Sequence, residues 1–186
     1  MSFRWIIGLG NPGKQYERTR HNAGFMAIDR LAQKLNITWE EKNTFPAYVG
    51  IDRSRNIALC KPMGFMNTSG EVATAVIRYF DRDALSPEHM PHLMLMYDDL
   101  DLPFGIIKIQ HGKHPKVHNG VLSCIRAFGS EEMTHVRIGT ESREDLKTIP
   151  GEAYVLLPLS EPEMTDLQTS MQEVVEMLYA QITSTL

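Results

Sequence analysis

Runs of hydrophobic residues alternate along this chain with segments whose hydrophobic residues recur at helical spacing. Residues 3–7 form an apolar run that predicts a first strand. The hydrophobic positions 25, 28, 31, 32 and 35 then predict a helix over residues 26–35. A glycine-rich loop, residues 8–13, joins the two. Ligands of open α/β sheets bind where such strands end, so this loop is the first candidate for a functional site.

The rest of the chain continues the alternation of strands and helices. Two capping boxes, Thr68 to Glu71 and Ser160 to Glu163, predict helix starts. A further helix is predicted after His118, and a hydrophobic stripe over residues 164–182 predicts a last helix that packs on the core. Further strands are predicted over residues 47–51, 57–61, 93–97, 106–110, 136–140 and 153–157.

This order of elements predicts an α/β fold. We expect a single three-layer domain over residues 1–186, in which helices flank a mixed, largely parallel twisted sheet. The strands at 47–51 and 57–61 are separated by a short polar turn. They therefore form a hairpin-like pair, which predicts some antiparallel pairing.

The composition is that of an ordinary globular protein, with 42% hydrophobic and 23% charged residues. No apolar run approaches the length of a membrane span, and the N-terminus lacks the features of a signal peptide. We therefore expect a cytoplasmic protein that does not contact a membrane. Cys60 and Cys124 lie far apart in the sequence and are expected to be buried free thiols.

Charge is distributed unevenly along the chain. The formal net charge is −4, but residues 141–186 contribute −7, so the remainder carries +3. Residues 106–118 contain three lysines and three histidines and no acidic residue. Local positive potential decides whether a phosphate backbone can dock, so this segment is either a nucleic-acid contact or a solvated loop.

The glycine loop superficially resembles two phosphate-binding motifs. Residues 8–13 match G-x-G-x-x-G, but Pro12 and a polar run intervene before the helix, and no second strand ending in an acidic residue follows at the expected distance. The P-loop pattern nearly matches, but Gln15 stands where a hydroxyl should hold magnesium. The glycines are better explained by a sharp backbone turn, and a nucleotide-binding protein remains the remote alternative.

Polar residues fall repeatedly just after predicted strands or at helix starts. A histidine paired with an aspartate forms a general base, and His21 with Asp98 is the pair that we select because Asp98 directly follows a hydrophobic strand. The alternative is a helix-capping histidine beside a solvated acidic turn. Asparagines near the pair could grip a substrate and polarise a carbonyl. The residues concerned are Asn11, His21, Asn67, Asp98, His118 and Asn119.

Other chemistries receive less support from the sequence. There is no G-x-S-x-G elbow, and neither cysteine has the local setting of a nucleophile. The spacing of His111, His114 and His118 suggests a zinc site, but Pro115 and the absence of cysteines nearby disfavour it.

Five ordered blocks closely resemble the signature of the bacterial-type peptidyl-tRNA hydrolase family, from residue 5 to about residue 140. The blocks are Gly8-Leu9-Gly10-Asn11-Pro12-Gly13-x-x-Tyr16-x-x-Thr19-Arg20-His21-Asn22-x-Gly24, Phe65-Met66-Asn67-x-Ser69-Gly70, Asp98-Asp99-Leu100-Asp101-Leu102-Pro103-x-Gly105, His118-Asn119-Gly120 and Arg137-Ile138-Gly139.

The resemblance implies hydrolysis of the ester that joins a peptide to the 3′-terminal ribose of tRNA, which recycles tRNA from stalled translation. It implies that His21 is the catalytic base that activates water and that Asp98 orients it. It also implies no metal ion and no organic cofactor, and we expect a monomer whose partner is peptidyl-tRNA. The substrate-binding positions that it implies are Asn11, Tyr16, Met66, Asn67, His118 and Asn119.

The chain departs from the family pattern where tRNA is expected to bind. Residues 112–117 replace the usual glycine-rich run, and a family lysine that helps to clamp the 5′-phosphate falls on Gln110. The matching arginine is Arg137, and Lys108 or Lys113 is expected to replace the missing lysine. The first hypothesis is an active hydrolase; the alternative is a non-catalytic RNA- or partner-binding relative that retains the fold.

Overall fold

The computed structural model describes residues 2–42, 44–143 and 148–183, and its centre is a seven-stranded sheet with the order β2-β3-β4-β1-β5-β7-β6. The four central strands β4, β1, β5 and β7 are mutually parallel, while the pairs β2/β3, β3/β4 and β6/β7 are antiparallel. The mixed, largely parallel sheet is therefore confirmed. The strands are β1 Arg4–Gly8, β2 Glu40–Lys42, β3 Ala47–Asp52, β4 Ile57–Pro62, β5 Met94–Pro103, β6 Ile107–His111 and β7 Thr134–Glu141.

Helices cover both faces of this sheet, which confirms the three layers. The α1 and α5 helices bury one hydrophobic cluster against it, and α2 and α3 bury a second cluster on the opposite face. The predicted stripe from Met164 to Ile182 is buried in the first cluster, as expected for an amphipathic helix. The helices are α1 Ala23–Leu35, α2 Ser69–Phe80, α3 Asn119–Phe128, α4 Gly151–Tyr154 and α5 Glu161–Thr183.

The strand predicted over residues 153–157 is wrong. Gly151–Tyr154 forms the short helix α4, after which Val155 is buried whereas Leu156 and Leu157 are 44% and 40% exposed. A short apolar run cannot distinguish a buried strand from a helical turn, and in this one only Tyr154 and Val155 are buried.

Two other elements differ from expectation at their ends. β2 was not predicted, because its three residues are charged and carry no hydrophobic signal; a short charged strand is a common way to protect a sheet edge. The β5 strand continues past Tyr97 to Pro103, with a register shift between Asp99 and Pro103. Asp98 therefore lies within the strand rather than after it.

The two predicted capping boxes have different outcomes. The Ser160 hydroxyl and main-chain N–H both donate to Glu163 Oε2 at 2.9 Å, and the Glu163 N–H lies 3.4 Å from Ser160 Oγ, so this box is confirmed. The Thr68 box is wrong, because the Thr68 hydroxyl donates to the Phe65 carbonyl and Glu71 accepts from Ser123 of α3. A 3₁₀ turn, Met66–Thr68, precedes α2, and the Thr68 hydroxyl bonds back to the residue before this turn instead of capping α2.

Both cysteines are buried and free, as predicted. Burial raises the pKa of the Cys60 thiol to about 12, which keeps it protonated and unreactive. Within the described part of the chain, no helix is both long enough and apolar enough to cross a membrane.

Candidate active site

The histidine and the aspartate selected from the sequence meet at the end of the sheet where β1 and β5 lead into their following segments. His21 lies in a 3₁₀ turn, Arg20–Asn22, directly before α1, and its Nδ1 lies 2.8 Å from Asp98 Oδ1. The Asp98 side chain is 2% exposed and that of His21 is 13% exposed. The predicted pair is therefore brought together, and the alternative of a solvated acidic turn does not describe Asp98.

A second imidazole shares the same carboxylate oxygen. His118 Nε2 lies 3.0 Å from Asp98 Oδ1, and the rings of His118 and His21 are 5.0 Å apart. His118 Nδ1 accepts a hydrogen bond from the Val121 N–H at the start of α3. His118 Nδ1 is thus the acceptor nitrogen and Nε2–H donates to Asp98, so His118 is the residue that caps a helix.

The two imidazoles also control the charge of Asp98. Burial raises the pKa of this carboxyl, but the charges and hydrogen bonds of His21 and His118 outweigh burial and hold the pKa well below its usual range. Asp98 is therefore ionised at neutral pH. A carboxylate at this position holds the proton of His21 on Nδ1 and leaves Nε2 to take a proton from water.

A buried tyrosine and a third histidine form the wall behind this pair. The ring of Tyr97 packs edge-on to His118 at 5.2 Å, and its hydroxyl donates to His135 Nδ1 at 3.0 Å. Burial raises the pKa of Tyr97 and lowers that of His135 to about 4. Both groups are thus uncharged near neutral pH. Sequence reasoning missed His135, because a histidine inside a strand gives no local signal.

Asn11 is fixed by hydrogen bonds on both sides. Its Oδ1 accepts from the Met66 N–H at 2.9 Å, which leaves Nδ2 as the donor that a substrate can use. Asn22 clamps the Asn11 backbone, since its Oδ1 accepts from the Asn11 N–H at 2.9 Å and its Nδ2 donates to the Asn11 carbonyl at 3.0 Å. The sequence placed Asn22 beside His21 but gave no hint of this clamp.

The turn that carries Asn67 packs against the start of α3, which carries Asn119. Gly120 permits this contact, because a Cβ there would lie 2.3 Å from the Met66 sulfur. Both asparagines are exposed, whereas Met66 is buried. The segments of Asn11, Asn67 and Asn119 are thereby joined through Met66. Tyr16 is half-buried in the preceding 3₁₀ turn, where its carbonyl accepts from the Thr19 N–H at 3.0 Å and hydroxyl at 2.8 Å.

The predicted tRNA contacts differ in their exposure. Lys108 and Lys113 are exposed, and Lys108 lies directly opposite Arg137 in the β6/β7 pair. Arg137 is largely engaged within the protein: Nε donates to Asp99 at 2.6 Å and Nη1 to Gln110 at 2.8 Å, and the side chain is 12% exposed.

One group of three side chains within the described residues could reach a common metal ion. The ligand atoms of His21, Asp98 and His118 lie within 4.8 Å of one another. The distances from Asp98 to His21 and to His118 are also those of hydrogen bonds, as in an acid–base pair. The histidines considered as zinc ligands separate instead, because His111 contacts Glu132 at 3.0 Å and His114 contacts Glu131 at 3.1 Å.

Comparisons with known proteins point to one family. The family model described as peptidyl-tRNA hydrolase matches residues 5–186. A peptidyl-tRNA hydrolase of Bacillus pumilus is 37% identical over 180 residues, which cover 96% of this chain and 91% of the relative. Another from Brevibacillus brevis is 39% identical over 168 residues, or 89% of this chain and 84% of the relative.

The fold recurs in solved structures. The crystal structure of peptidyl-tRNA hydrolase from Acinetobacter baumannii superposes with a TM-score of 0.83, covers 98% of this chain and 90% of its own, and is 24% identical. At that identity the superposition establishes the architecture.

Proposed function

Because the chain belongs to the peptidyl-tRNA hydrolase family, we propose that it hydrolyses the ester between a peptide and the 3′-terminal ribose of tRNA through a water activated by His21. The observation that carries the proposal is the bond of 2.8 Å between His21 Nδ1 and Asp98. This bond directs the basic Nε2 atom away from the carboxylate.

The proposed reaction begins when water attacks the ester carbonyl carbon and gives a proton to His21 Nε2. The imidazolium that forms is stabilised by the ionised Asp98 beside it. The tetrahedral intermediate then collapses, the ester C–O bond breaks, and the proton passes to the departing ribose oxygen. The products are a peptide carboxylic acid, which releases its proton to solvent, and a tRNA with a free ribose hydroxyl.

Amide groups supply the remaining parts of this site. The Nδ2 group of Asn11 is the donor left after its Oδ1 has bonded to Met66, so it can stabilise negative charge on the carbonyl oxygen. Asn67 and Asn119 are exposed beside it and can bind the peptide or the terminal adenosine. Tyr16, Met66 and His118 line the same cleft in this proposal.

Basic side chains are proposed to hold the tRNA backbone. Lys108 and Lys113 are exposed and free of acidic neighbours in sequence, which suits contact with phosphates. Arg137 is proposed to attract the tRNA phosphates as well, and its charge is partly neutralised by the adjacent Asp99.

All of these groups come from one chain, so the reaction needs no second copy, and a monomer suffices. The substrate is a product of ribosomes, which places the proposed activity in the cytoplasm.

The deciding experiment compares the wild type with His21→Asn on a model peptidyl-tRNA that carries a labelled peptide. We expect the variant to release peptide at least about 100-fold more slowly, since general-base catalysis contributes at least that factor, while it binds tRNA normally. His92→Asn is the matched control, because His92 is exposed on a separate 3₁₀ turn, Met90–His92.

Each outcome separates the hypotheses. Equal rates for wild type and His21→Asn would exclude His21 as the base. A wild type that binds tRNA but releases no peptide would support the alternative, a non-catalytic RNA-binding relative that retains the fold.

A further inference from the structure

The residue before the proposed base is an arginine whose side chain is buried. Arg20 is 5% exposed, although arginine is rarely found in a protein interior without a paired charge. Its guanidinium crosses from the turn of His21 to the segment that links α4 to α5. This placement calls for an explanation, because none of the chemistry proposed above uses Arg20.

The two segments are first joined by their backbones. The His21 N–H donates to the Val155 carbonyl at 2.8 Å, and the Leu159 N–H donates to the Arg18 carbonyl at 2.8 Å. Thr19 and Pro158 form an antiparallel bridge between them. The backbone that carries His21 is therefore bonded directly to residues 155–159.

The Arg20 side chain fastens this junction. Its Nη1 donates to the carbonyls of Leu157 and Pro158 at 3.4 and 3.3 Å, and its Nη2 forms a short ion pair with Glu163 Oε1. One guanidinium thus holds both the linking segment and the first turn of α5. A planar fork of donors can make these bonds together, whereas a lysine ammonium cannot.

The carboxylate of Glu163, in the first turn of α5, binds other groups in addition to Arg20. Its Oε2 accepts from Ser160, which is the confirmed capping box, and its Oε1 also accepts from the Ser142 hydroxyl at 3.0 Å. Burial raises the pKa of Glu163, but the bonds from Ser160 and Ser142 and the charge of Arg20 together lower it. The carboxylate is thereby kept ionised for Arg20.

The aromatic side chain of Tyr154 connects Arg20 to the same group of residues. Two guanidinium groups contact the Tyr154 ring, with Arg20 Cζ 4.2 Å and Arg143 Cζ 5.0 Å from the ring centroid. Its hydroxyl is 2.8 Å from the Ser142 hydroxyl, which in turn reaches Glu163. Tyr154, Ser142 and Glu163 are therefore connected to Arg20 and to one another. The Arg20 guanidinium cannot move without breaking several of these contacts.

We propose that Arg20 is a positioning residue for His21, and that it acts through Glu163, Tyr154 and the segment 155–159. The inference rests on the proposed function of His21 as a base. The hydrogen bond with Asp98 fixes one edge of the His21 imidazole. The contacts of Arg20 with Glu163, Tyr154 and residues 155–159 fix the backbone from which this ring projects. Both restraints are needed to aim Nε2 at a water, because small displacements of a catalytic group greatly reduce its rate.

The test is Arg20→Lys, with Arg55→Lys as its matched control. Arg55 is also a partly buried arginine that binds a carboxylate, Asp52, and a carbonyl, Leu35, but it lies far from His21. We expect Arg20→Lys to lower kcat for peptide release by about 10- to 100-fold at nearly unchanged KM. Arg55→Lys should leave kcat and KM unchanged, while it lowers the melting temperature by about as much as Arg20→Lys does.

The imidazole of His21 provides a readout that is independent of activity. In ¹⁵N NMR spectra, Arg20→Lys should shift or broaden the signals of the His21 ring nitrogens, whereas Arg55→Lys should not. Wild-type kcat and unchanged His21 signals in a folded Arg20→Lys variant would overturn the proposal. Should Arg20→Lys fail to fold, Glu163→Gln decides, since it removes the negative charge that Arg20 binds and keeps the length of the side chain; an unchanged kcat there would also overturn the proposal.

Failure of this inference is distinguishable from failure of the proposed function. If wild type is inactive, or if His21→Asn is fully active, the function itself is wrong. If His21→Asn is inactive while Arg20→Lys retains full kcat, only the positioning role is rejected.

Discussion

Oδ1 of Asp98 accepts hydrogen bonds from two imidazoles, and this single atom organises the residues around it. His118 is locked by the Val121 N–H and cannot use Nδ1 toward a substrate. His21 has no such second partner in the described contacts, so its Nε2 is the nitrogen available for proton transfer. Two histidines that bind the same carboxylate thus differ in which ring nitrogen is free, because of one backbone N–H, and we propose different roles for them on that ground.

The buried imidazole of His135 makes stability depend on pH. Burial lowers its pKa from 6.5 to about 4, so the unfolded chain binds a proton between these values that the folded chain does not. The stability is complete above pH 6.5 and is lost as the pH falls toward 4. Between pH 7 and 4.5 we expect a loss of about 2 kcal/mol from this group.

Urea unfolding of the wild type and His135→Gln at pH 7 and pH 4.5 tests this expectation. Glutamine can still accept from the Tyr97 hydroxyl but does not titrate. The variant should therefore lose less stability than the wild type over this interval. Equal losses in the two proteins would mean that His135 is not the group responsible.

The sequence was sufficient to select His21 and Asp98, because a histidine after a glycine loop and an aspartate near a strand end occur at positions where sites form. It did not reveal Asn22, His135 or Arg20. Their partners lie 11, 38 and 143 positions away for the bonds Asn22–Asn11, Tyr97–His135 and Arg20–Glu163. Only the fold brings such residues together.

At the scale of elements, the loop between β6 and α3 is held by two histidine–glutamate contacts. His111 binds Glu132 and His114 binds Glu131, both in the turn before β7. His114 Nδ1 also faces the Pro115 carbonyl at 2.8 Å, so both of its ring nitrogens face acceptors. These contacts tie the loop to the turn before β7.

We expect Glu131→Gln to loosen residues 112–117, which lead directly to His118 and Asn119. Hydrogen exchange measured by mass spectrometry should become faster in that loop. Glu132→Gln is the comparison, and it should have a smaller effect because the His111 pair is exposed and such pairs contribute only about 0–1 kcal/mol. Unchanged exchange in Glu131→Gln would show that the loop is held by other contacts.

Elements with strong periodic patterns were predicted well, and those without were not. The amphipathic stripe of α5 and the hairpin-like pair of β3 and β4 have long or doubled signals. β2 and α4 are three and four residues long, so tertiary contacts decide their conformation. The Thr68 box failed because a tertiary partner, Ser123, takes its glutamate.

At the scale of the molecule, the positive segment 106–118 lies on the edge strand β6 and the loop that follows it. Arg137 is a poor probe of this surface, since its removal would leave the buried Asp99 without its partner. Lys108 is exposed and directly opposite, so it reports on phosphate contact alone.

We expect Lys108→Ala to weaken tRNA binding and to reduce the slope of log affinity against log salt by about one. Binding titrations between low and moderate salt measure this slope. Lys34→Ala is the control, because Lys34 pairs with Glu176 of α5 and should leave the slope unchanged. A slope unaltered in Lys108→Ala would place the tRNA backbone elsewhere.

The bond between Arg20 and Glu163 has a consequence for the synthesis of this protein. A growing chain is itself a peptidyl-tRNA until its last residue has been added, and so carries the very ester that we propose its mature form to cleave. The proposed base at position 21 leaves the ribosome early, but the glutamate that binds Arg20 is 143 residues beyond that arginine. If Arg20 positions His21 as we propose, the order of translation withholds a fully aligned base until most of the chain has been made.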